Sequence, residues 1–318
     1  MKAAVLHELG SAPRFDRFDD PVAKDGEVLV SVRAASLKPI DRGMASGNHY
    51  ASFRELPVVC GVDGVGTLDD GTRVLFGGAR RPFGAMAERT VVPRALCFPL
   101  PEGLDDATAA ALPNPAGSSW LPLKYRARLV AGETVLILGA TGAAGKLAVQ
   151  IARILGAGRV IAAGRNPEAL RAVSALGADV TIRLDQPGPK LAEVFGSIAK
   201  DGIDVVLDYL WGPPTEALVA ALTGHDLGAK PRVTRLIEIG AIAAPTISLP
   251  AAALRSSGLE IYGSGGGSVS WQAIQETVPQ ILDHAARGLL RLETEQIPLR
   301  DVEAAWNKKS ERRVVFIP

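Results

Sequence analysis

A strand that leads directly into a glycine-rich turn and then a helix constrains this fold more than any other feature. Thr134–Leu138 is a nearly continuous aliphatic run, which is typical of a strand buried on both faces of a sheet. Gly139, Gly142 and Gly145 follow at once, and Lys146–Leu155 has helical spacing. The first N–H groups of such a helix have no intrahelical partner and face an anion. The sequence therefore predicts a phosphate-binding turn after a buried strand.

Each glycine of this turn has a steric role in the binding of a dinucleotide. Gly139 permits a tight bend, Gly142 lets the backbone approach a pyrophosphate, and Gly145 lets the helix and the strand pack closely. The predicted cofactor contacts in the turn are Gly139, Thr141, Gly142, Ala143, Ala144 and Gly145. The alternative is a close-packed turn that binds nothing, but the flanking strand and helix favour the binding role.

The end of the next strand, Arg159–Ala163, indicates which dinucleotide is bound. An NAD enzyme has an Asp or Glu there that binds the ribose hydroxyls, and this chain has none. Arg165 instead offers a guanidinium suited to a 2′-phosphate, so the sequence favours NADPH over NADH. The predicted contacts here are Gly164, Arg165 and Asn166. In the alternative interpretation, Arg165 is a solvated cation and Asn166 caps a helix that begins at Pro167.

The chain divides into a β-rich part and a part in which strands alternate with helices. In the first hundred residues, short apolar runs are separated by Gly, Pro and Asp, which predicts a mostly antiparallel β domain. Residues 134–209 alternate between strand and helix patterns, which predicts a parallel sheet with right-handed crossovers. Thr234–Gly240 and Leu259–Tyr262 extend that sheet. A junction near Pro113–Pro115 separates the two parts, and the length of 318 residues favours two domains.

The composition excludes several classes of protein. The 35 Lys and Arg nearly balance the 34 Asp and Glu, so no overall field attracts nucleic acid or an anionic membrane. Cys60 and Cys97 are the only cysteines, which is consistent with free thiols in a reducing compartment. Charges interrupt the first apolar run, and no run approaches the roughly 18–20 apolar residues of a membrane span. We expect a soluble, cytoplasmic protein that acts on small molecules.

Several further segments carry short motifs in a fixed order along the chain. They are Ala35–Asp41, Cys60–Gly66, Asp70–Val74, Gly84–Glu88 and Pro298–Val315. The first is similar to Ala-x-Leu-Asn-Pro-x-Asp and the second to Gly-x-Asp-x-Ala-Gly. Both motifs are found in the zinc-independent quinone oxidoreductase-like branch of the medium-chain dehydrogenase/reductase superfamily, which the whole chain resembles.

The resemblance implies an α/β fold with a Rossmann domain, a doubly wound parallel sheet, inserted into a GroES-like and mainly antiparallel β domain. On this basis the substrate domain spans residues 1–114 and is completed by 264–318, and the NADPH-binding domain spans 115–263. It also implies an active site in the cleft between the domains, a homodimer, and hydride transfer from NADPH to a quinone or another α,β-unsaturated carbonyl. Two alternatives are open: a zinc-free alcohol or carbonyl dehydrogenase, and an inactive NADPH-binding sensor or structural protein.

The same resemblance allows a test for zinc ligands. The family's zinc alcohol dehydrogenases have a Gly-His-Glu segment and a lobe with four closely spaced cysteines. Here the equivalent segment is Gly61–Asp63, and no cysteine quartet exists. The histidines are far apart in the sequence, at His7, His49, His225 and His284. Because zinc needs about four closely placed ligands, the sequence predicts no catalytic zinc.

Without a metal, hydrogen-bond donors must stabilise the negative charge that develops on the substrate oxygen. The branch has an Asn and often a Tyr for this role, whereas this chain has Lys38 and Gly43 at those positions. Lys38 is one candidate donor, with a solvated loop lysine as the alternative. Tyr50, in the turn-rich segment 43–53, is another, with a plain loop role as the alternative. Ser119 stands where the family tends to have a Thr near the nicotinamide, and its alternative role is a helix-face hydroxyl.

Four more cofactor contacts, in two pairs, are predicted where later strands of the parallel sheet end. Gly240 and Ala241 follow one strand, on the side where open α/β sheets bind ligands. Gly263 and Ser264 begin a second glycine run, whose flexible backbone suits contact with the nicotinamide amide or a lid, with an ordinary mobile loop as the alternative.

Overall fold

The computed structural model describes residues 1–223, 232–310 and 312–318. These residues form two compact units, which are treated separately below. The first unit comprises Met1–Pro113 and Val278–Pro318, and the second comprises Asn114–Thr277. The sequence analysis grouped residues 264–277 with the first unit, whereas the contacts of the structure group them with the second.

The elements within the described ranges are numbered in chain order. The strands are β1 (Lys2–Leu6), β2 (Arg14–Arg17), β3 (Glu27–Ser36), β4 (Val58–Val59), β5 (Asp63–Thr67), β6 (Arg73–Gly77), β7 (Arg89–Pro93), β8 (Cys97–Pro99), β9 (Thr134–Leu138), β10 (Arg159–Gly164), β11 (Val180–Arg183), β12 (Val205–Asp208), β13 (Val233–Glu238), β14 (Gly258–Gly263), β15 (Thr294–Pro298) and β16 (Arg313–Ile317). The helices are α1 (Pro39–Ser46), α2 (Asp106–Ala111), α3 (Pro113–Leu121), α4 (Ala143–Ile154), α5 (Pro167–Ala175), α6 (Gly188–Ala199), α7 (Pro213–Leu222), α8 (Ala251–Ser256), α9 (Trp271–Ala286) and α10 (Val302–Trp306).

The second unit is built on a six-stranded sheet with the order β11-β10-β9-β12-β13-β14. Every neighbouring pair in this sheet is parallel. All five residues of β9 are buried, as expected for a strand that is covered on both faces. The order of the strands reverses on either side of β9, and ligands of such sheets bind beyond the carboxyl ends of the strands at that point. The predicted doubly wound parallel sheet is confirmed.

The first unit is mainly antiparallel, as the sequence predicted. It contains a three-stranded sheet, β2-β1-β4, and a seven-stranded sheet in which β3 pairs with β5, β7 and β16. The pairing of β16 with β3 joins the last residues of the chain to the first part, with Phe316 opposite Ala35. Because Phe316 is fully buried in the core of this unit, the two ends of the chain share one hydrophobic core.

Among the described residues, no helix combines the length and the apolar character that crossing a bilayer requires. Helix α9, with 16 residues, contains Pro279 and the charged side chains of Glu276 and Asp283.

The shared core of the first unit makes a prediction about stability. Phe316→Ala should lower the free energy of unfolding by about 3–5 kcal/mol, because it removes a fully buried ring and leaves a cavity. Phe15→Ala is the matched control, since Phe15 lies on the exposed strand β2, and it should cost clearly less. Urea unfolding followed by circular dichroism measures both values. If both variants lose the same free energy of unfolding, Phe316 does not hold the shared hydrophobic core together.

Candidate cofactor and active site

The glycine turn after β9 is held tightly against the neighbouring strand. The N–H groups of Gly139 and Ala140 both donate to the carbonyl of Ala163, at 3.0 and 2.9 Å. Gly139 has a φ of 91°, a backbone conformation that side chains disfavour, and this residue bends the chain away from β9. The N–H of Gly142 then donates to the carbonyl of Gly139 at 3.2 Å, which closes the turn before α4 begins.

Gly145 is the residue that brings α4 close to the turn. A Cβ atom at this position would lie 2.3 Å from the carbonyl oxygen of Gly139 and 2.5 Å from the Cα of Ala140. Both neighbours are backbone atoms, so a side chain at residue 145 would force the helix away from the turn. Gly164 allows a second close approach, since its Cβ would lie 2.4 Å from the methyl group of Thr141.

The start of α4 has the donors that an anion requires. Gly142 is the N-cap residue and makes no side-chain capping bond, so the first N–H groups of the helix receive no cap from it. These groups belong to Ala143, Ala144 and Gly145, and the helix dipole adds partial positive charge at the same place. This geometry fits a pyrophosphate, as the sequence predicted from the spacing of the glycines.

A cavity of about 870 Å³ opens beside the turn and brings three predicted residues together. It is lined by Thr141, Arg165, Asn166, Pro167, Glu168, Arg171 and Asp185. Asn166 caps α5, because its Oδ1 accepts the N–H groups of Glu168 and Ala169 at 2.8 and 3.2 Å. The capping role that the sequence offered as an alternative for Asn166 is therefore observed.

The charged side chains that line this cavity are paired with side chains of opposite charge, except for Arg165. The carboxylate of Glu168 lies 3.8 Å from the guanidinium of Arg171. Asp185 accepts a hydrogen bond from the Nε of Arg183 at 3.0 Å. The exposed guanidinium of Arg165 has neither a hydrogen bond nor an ion pair within the residues that the structure describes. Arg165 is therefore available to an anionic ligand group.

The other predicted cofactor contacts lie at the same carboxyl edge of the parallel sheet. Gly240 follows β13, and its N–H donates to the carbonyl of Asp208 at 3.2 Å. Ala241 is exposed next to it. Gly263 ends β14, and the N–H of Ser264 donates to the carbonyl of Glu238 at 2.8 Å. Because all strands of this sheet are parallel, these residues and the glycine turn share one edge, although only the turn borders the cavity described above.

A short π-helix anchors the end of β14. Pro122–Arg126 continues directly from α3, and its last residue, Arg126, donates from Nε to the carbonyl of Gly263 at 3.0 Å. The guanidinium of Arg126 also lies over the ring of Tyr262, at 5.5 Å from its centre. No local sequence pattern indicates this anchor, because its partners are more than a hundred residues apart.

Ser119 lies on α3 and is fully buried. Its hydroxyl lies 2.8 Å from the hydroxyl of Tyr209, which follows β12. Tyr209 also donates to the carbonyl of Ser118 at 3.2 Å, and Ser119 reaches the carbonyl of Ala144 in the first turn of α4 at 3.5 Å. Burial raises the pKa of Tyr209 to about 12, so this phenol stays protonated and serves as a donor. The pair thus connects α3 to the glycine turn, and Tyr209 is a residue that the sequence analysis missed.

Lys38 lies at the start of α1, with a side chain that is 0% exposed. Its Nζ is 2.9 Å from Oδ1 of Asp63 and 3.8 Å from Oδ2 of Asp41, and it donates to the carbonyl of Ser36 at 2.8 Å. Asp41 also accepts the backbone N–H groups of Lys38 and Val62. The solvated loop lysine offered as an alternative is therefore wrong. Direct contact between this amine and an acceptor requires the Lys38–Asp63 pair to open.

Tyr50 is placed differently from the other predicted donors. It is 85% exposed, and its ring lies 4.1 Å from the ring of His49, centre to centre. The segment 43–53, which the sequence treated as turn-rich, begins inside α1, which ends at Ser46. Tyr50 is thus not packed against Lys38. Its role as a hydrogen-bond donor to the substrate oxygen stays a prediction.

Comparison with known proteins agrees with this geometry. Residues 24–102 match the model of the alcohol dehydrogenase GroES-like domain, and residues 143–287 match that of the zinc-binding dehydrogenase. The quinone oxidoreductase of Thermus thermophilus, whose structure was also solved in complex with NADPH, is 32% identical over all of both chains, with a TM-score of 0.81. The chain belongs to the medium-chain dehydrogenase/reductase superfamily.

Two curated relatives refine this assignment. A probable NADPH-dependent quinone reductase of Emericella nidulans is 28% identical over the full length of both chains. A chloroplastic NADPH-dependent alkenal/one oxidoreductase of Arabidopsis thaliana is 32% identical over 51% of this chain and 46% of that protein. Within the superfamily, the chain is a member of the quinone oxidoreductase-like branch, as its motifs predicted.

The described residues do not form the zinc site that the name of the zinc-binding dehydrogenase family implies. Across residues 1–223, 232–310 and 312–318, no group of three or more His, Cys, Asp or Glu side chains is arranged to hold a metal ion. Asp63, at the position of the family's zinc-binding segment, pairs with Lys38 instead. Burial raises the pKa of the nearby Cys60 thiol and disfavours the thiolate that binds metals. His225 lies outside the described residues.

The contact at Gly145 makes a second prediction. Gly145→Ala should lower the free energy of unfolding by about 1–3 kcal/mol, because its Cβ meets backbone atoms that have no room to move. Gly196→Ala, in the middle of α6, is the matched control, since its Cβ meets no atom within 4 Å. It should raise stability by about 0.5–1 kcal/mol. Two variants of equal stability in urea unfolding would refute the role of Gly145.

Proposed function

We propose that this protein is an NADPH-dependent oxidoreductase that transfers a hydride to a quinone or another α,β-unsaturated carbonyl without zinc. The observation that carries the proposal is the uncapped start of α4 next to a cavity whose unmatched cation is Arg165. Membership of the quinone oxidoreductase-like branch supports the acceptor class, and two relatives are described as NADPH-dependent.

The preference for NADPH follows from the charges of the cavity. Arg165 follows β10 at the position where a carboxylate would bind the ribose hydroxyls of NAD. Its guanidinium offers a planar set of donors that matches a phosphate, whereas the carboxylates of Glu168 and Asp185 are paired with other arginines. The pyrophosphate is bound by the backbone of the glycine turn, and Gly240, Ala241, Gly263 and Ser264 contact the remainder of the cofactor along the same edge of the sheet.

Bound NADPH supplies the hydride, and the side chains of this protein position the reactants and donate hydrogen bonds. Ser119 presents a hydroxyl that is fixed by Tyr209 and lies next to the first turn of α4. In the first unit, Lys38 holds Asp63 and Asp41 in place, and it donates to developing negative charge once its pair with Asp63 opens. Tyr50 is a third donor in this proposal, supplied from the exposed segment after α1.

We also propose a cytoplasmic homodimer. β14 is the last strand in the order of the parallel sheet, and its Glu260 and Tyr262 side chains are exposed. An edge strand of this kind is suited to pairing with a second copy. The two free cysteines support a reducing compartment.

The proposed reaction is tested with purified protein, NADPH and a panel of quinones and alkenals, while the nicotinamide absorbance is followed. We expect turnover that continues after dialysis against a chelator, because no step depends on a bound metal. Tight NADPH binding without turnover of any acceptor would favour an inactive NADPH-binding protein. Stoichiometric zinc with turnover of simple alcohols would favour an alcohol dehydrogenase.

Arg165→Ala tests the cofactor preference. The Kd of NADPH should rise about tenfold or more, since a hydrogen bond to a charged group contributes about 1.5–3 kcal/mol, and the Kd of NADH should change little. Arg255→Ala on α8 is the matched control, because it removes another exposed arginine far along the sequence. Fluorescence titration measures the constants of both nucleotides for each variant. If both nucleotides are weakened equally, Arg165 does not bind the 2′-phosphate.

A further inference from the structure

Arg171 lines the same cavity as Arg165, and its side chain is held there only loosely. Its guanidinium lies 3.8 Å from the carboxylate of Glu168, which is longer than a hydrogen bond. The two side chains are 73% and 83% exposed, and Arg171 makes no hydrogen bond within the described part of the chain. Because an exposed ion pair of this kind contributes little to stability, it opens at little cost.

The position of Arg171 on α5 directs its side chain toward Arg165. Long side chains of an α-helix lie over the turn that precedes them, on the side of the N-terminus. Arg171 is the fifth residue of α5, and Arg165 lies two residues before the helix begins. The two guanidinium groups therefore approach the same space, which agrees with their shared place on the cavity wall.

The backbone at the start of α5 offers few donors to an anion. Asn166 already accepts the N–H groups of Glu168 and Ala169, at 2.8 and 3.2 Å, and Pro167 has no N–H group. Donors for an anion at this end of the cavity therefore come from side chains. Of the residues that line the cavity, Arg165 and Arg171 carry a positive charge.

A phosphate monoester has more charge and more acceptors than one arginine satisfies. Near neutral pH it carries about 1.5 to 2 negative charges on three acceptor oxygens. A single guanidinium contributes one positive charge and donates to two of these oxygens. Arg165 alone therefore leaves one oxygen and part of the charge without a partner. The carboxylate of Glu168 on the same wall adds negative charge as long as it is not bound more closely by Arg171.

We propose that Arg171 is a second ligand of the 2′-phosphate, and that it exchanges the carboxylate of Glu168 for this phosphate when NADPH binds. Arg165 donates a pair of hydrogen bonds, and Arg171 supplies the remaining charge and donors. Glu168 is then an internal competitor that lowers the affinity for NADPH and leaves the affinity for NADH unchanged. This inference rests on the proposed function, because it adds a specificity-determining residue to the proposed NADPH site.

Fluorescence titration with NADPH and NADH tests the exchange. In Arg171→Ala, the Kd of NADPH should rise about tenfold, as for the loss of a hydrogen bond to a charged group, while the Kd of NADH stays within about twofold. In Glu168→Gln, the Kd of NADPH should fall about two- to fivefold, because Arg171 is released from an exposed ion pair. Arg287→Ala is the matched control, since it removes the arginine of another exposed ion pair, with Asp283, and does not line the cavity. It should leave the Kd of both nucleotides unchanged.

The double variant separates the exchange from simple repulsion between Glu168 and the phosphate. When Arg171 is already Ala, Glu168→Gln should change the Kd of NADPH by less than about twofold, because no arginine is left to release. If Glu168→Gln tightens NADPH binding equally with and without Arg171, Glu168 repels the phosphate directly and the exchange is wrong. Arg171→Ala that weakens NADPH and NADH equally, or weakens neither, would also overturn it.

A ligand without a nicotinamide distinguishes this inference from the proposed function. Calorimetric titration with adenosine 2′,5′-bisphosphate needs no turnover, and thermal unfolding verifies that each variant is folded. If this ligand binds Arg171→Ala about tenfold more weakly than wild type but no quinone or alkenal is reduced, the inference stands and the proposed reaction fails. If acceptors are reduced and Arg165→Ala weakens the ligand but Arg171→Ala does not, the proposed function stands and the role of Arg171 is wrong.

Discussion

The contact between Gly145 and the turn before it is the constraint on which the candidate site depends. With the Cβ position of residue 145 only 2.3 Å from a backbone oxygen, α4 starts directly against the end of β9. This closeness aims the first N–H groups of α4 past the edge of the sheet, where the strand order reverses. The cavity beside Thr141 borders the turn before that helix, and Ser119, which is paired with Tyr209, reaches the carbonyl of Ala144 in the first turn of the helix.

Charge organises the two units in different ways. In the second unit, the carboxylates around the cavity are paired with arginines, and Arg165 is the cation that they leave to a ligand. In the first unit, a buried lysine pairs with Asp63, and further cations bind main-chain carbonyls. A buried ion pair loses its hydration, so its value to the protein lies in fixed geometry more than in stability.

Several elements had too little sequence signal to be predicted. Strand β2 has the sequence Arg-Phe-Asp-Arg and four exposed residues, so it lacks the apolar alternation that marks a strand, and pairing with β1 alone defines it. Helix α1 is short and begins at Pro39, and the sequence interpretation treated its second half as turns. The π-helix after α3 depends on a bond between Arg126 and Gly263, which are distant in the sequence. Local patterns do not encode such contacts.

The sequence by itself determined the parallel sheet, the antiparallel β domain, the family and the glycine turn between β9 and α4, because periodicity and glycine spacing are local properties of the chain. It also indicated Arg165, since that position follows a strand at a fixed point of the fold. Only the tertiary structure decided that Lys38 is buried against Asp63, that Ser119 bonds to Tyr209, and that Arg81 stacks on Phe53. These contacts depend on which residues, distant in the sequence, pack against each side chain. Burial and hydrogen-bond partners in turn determine whether a polar side chain is free to bind a ligand.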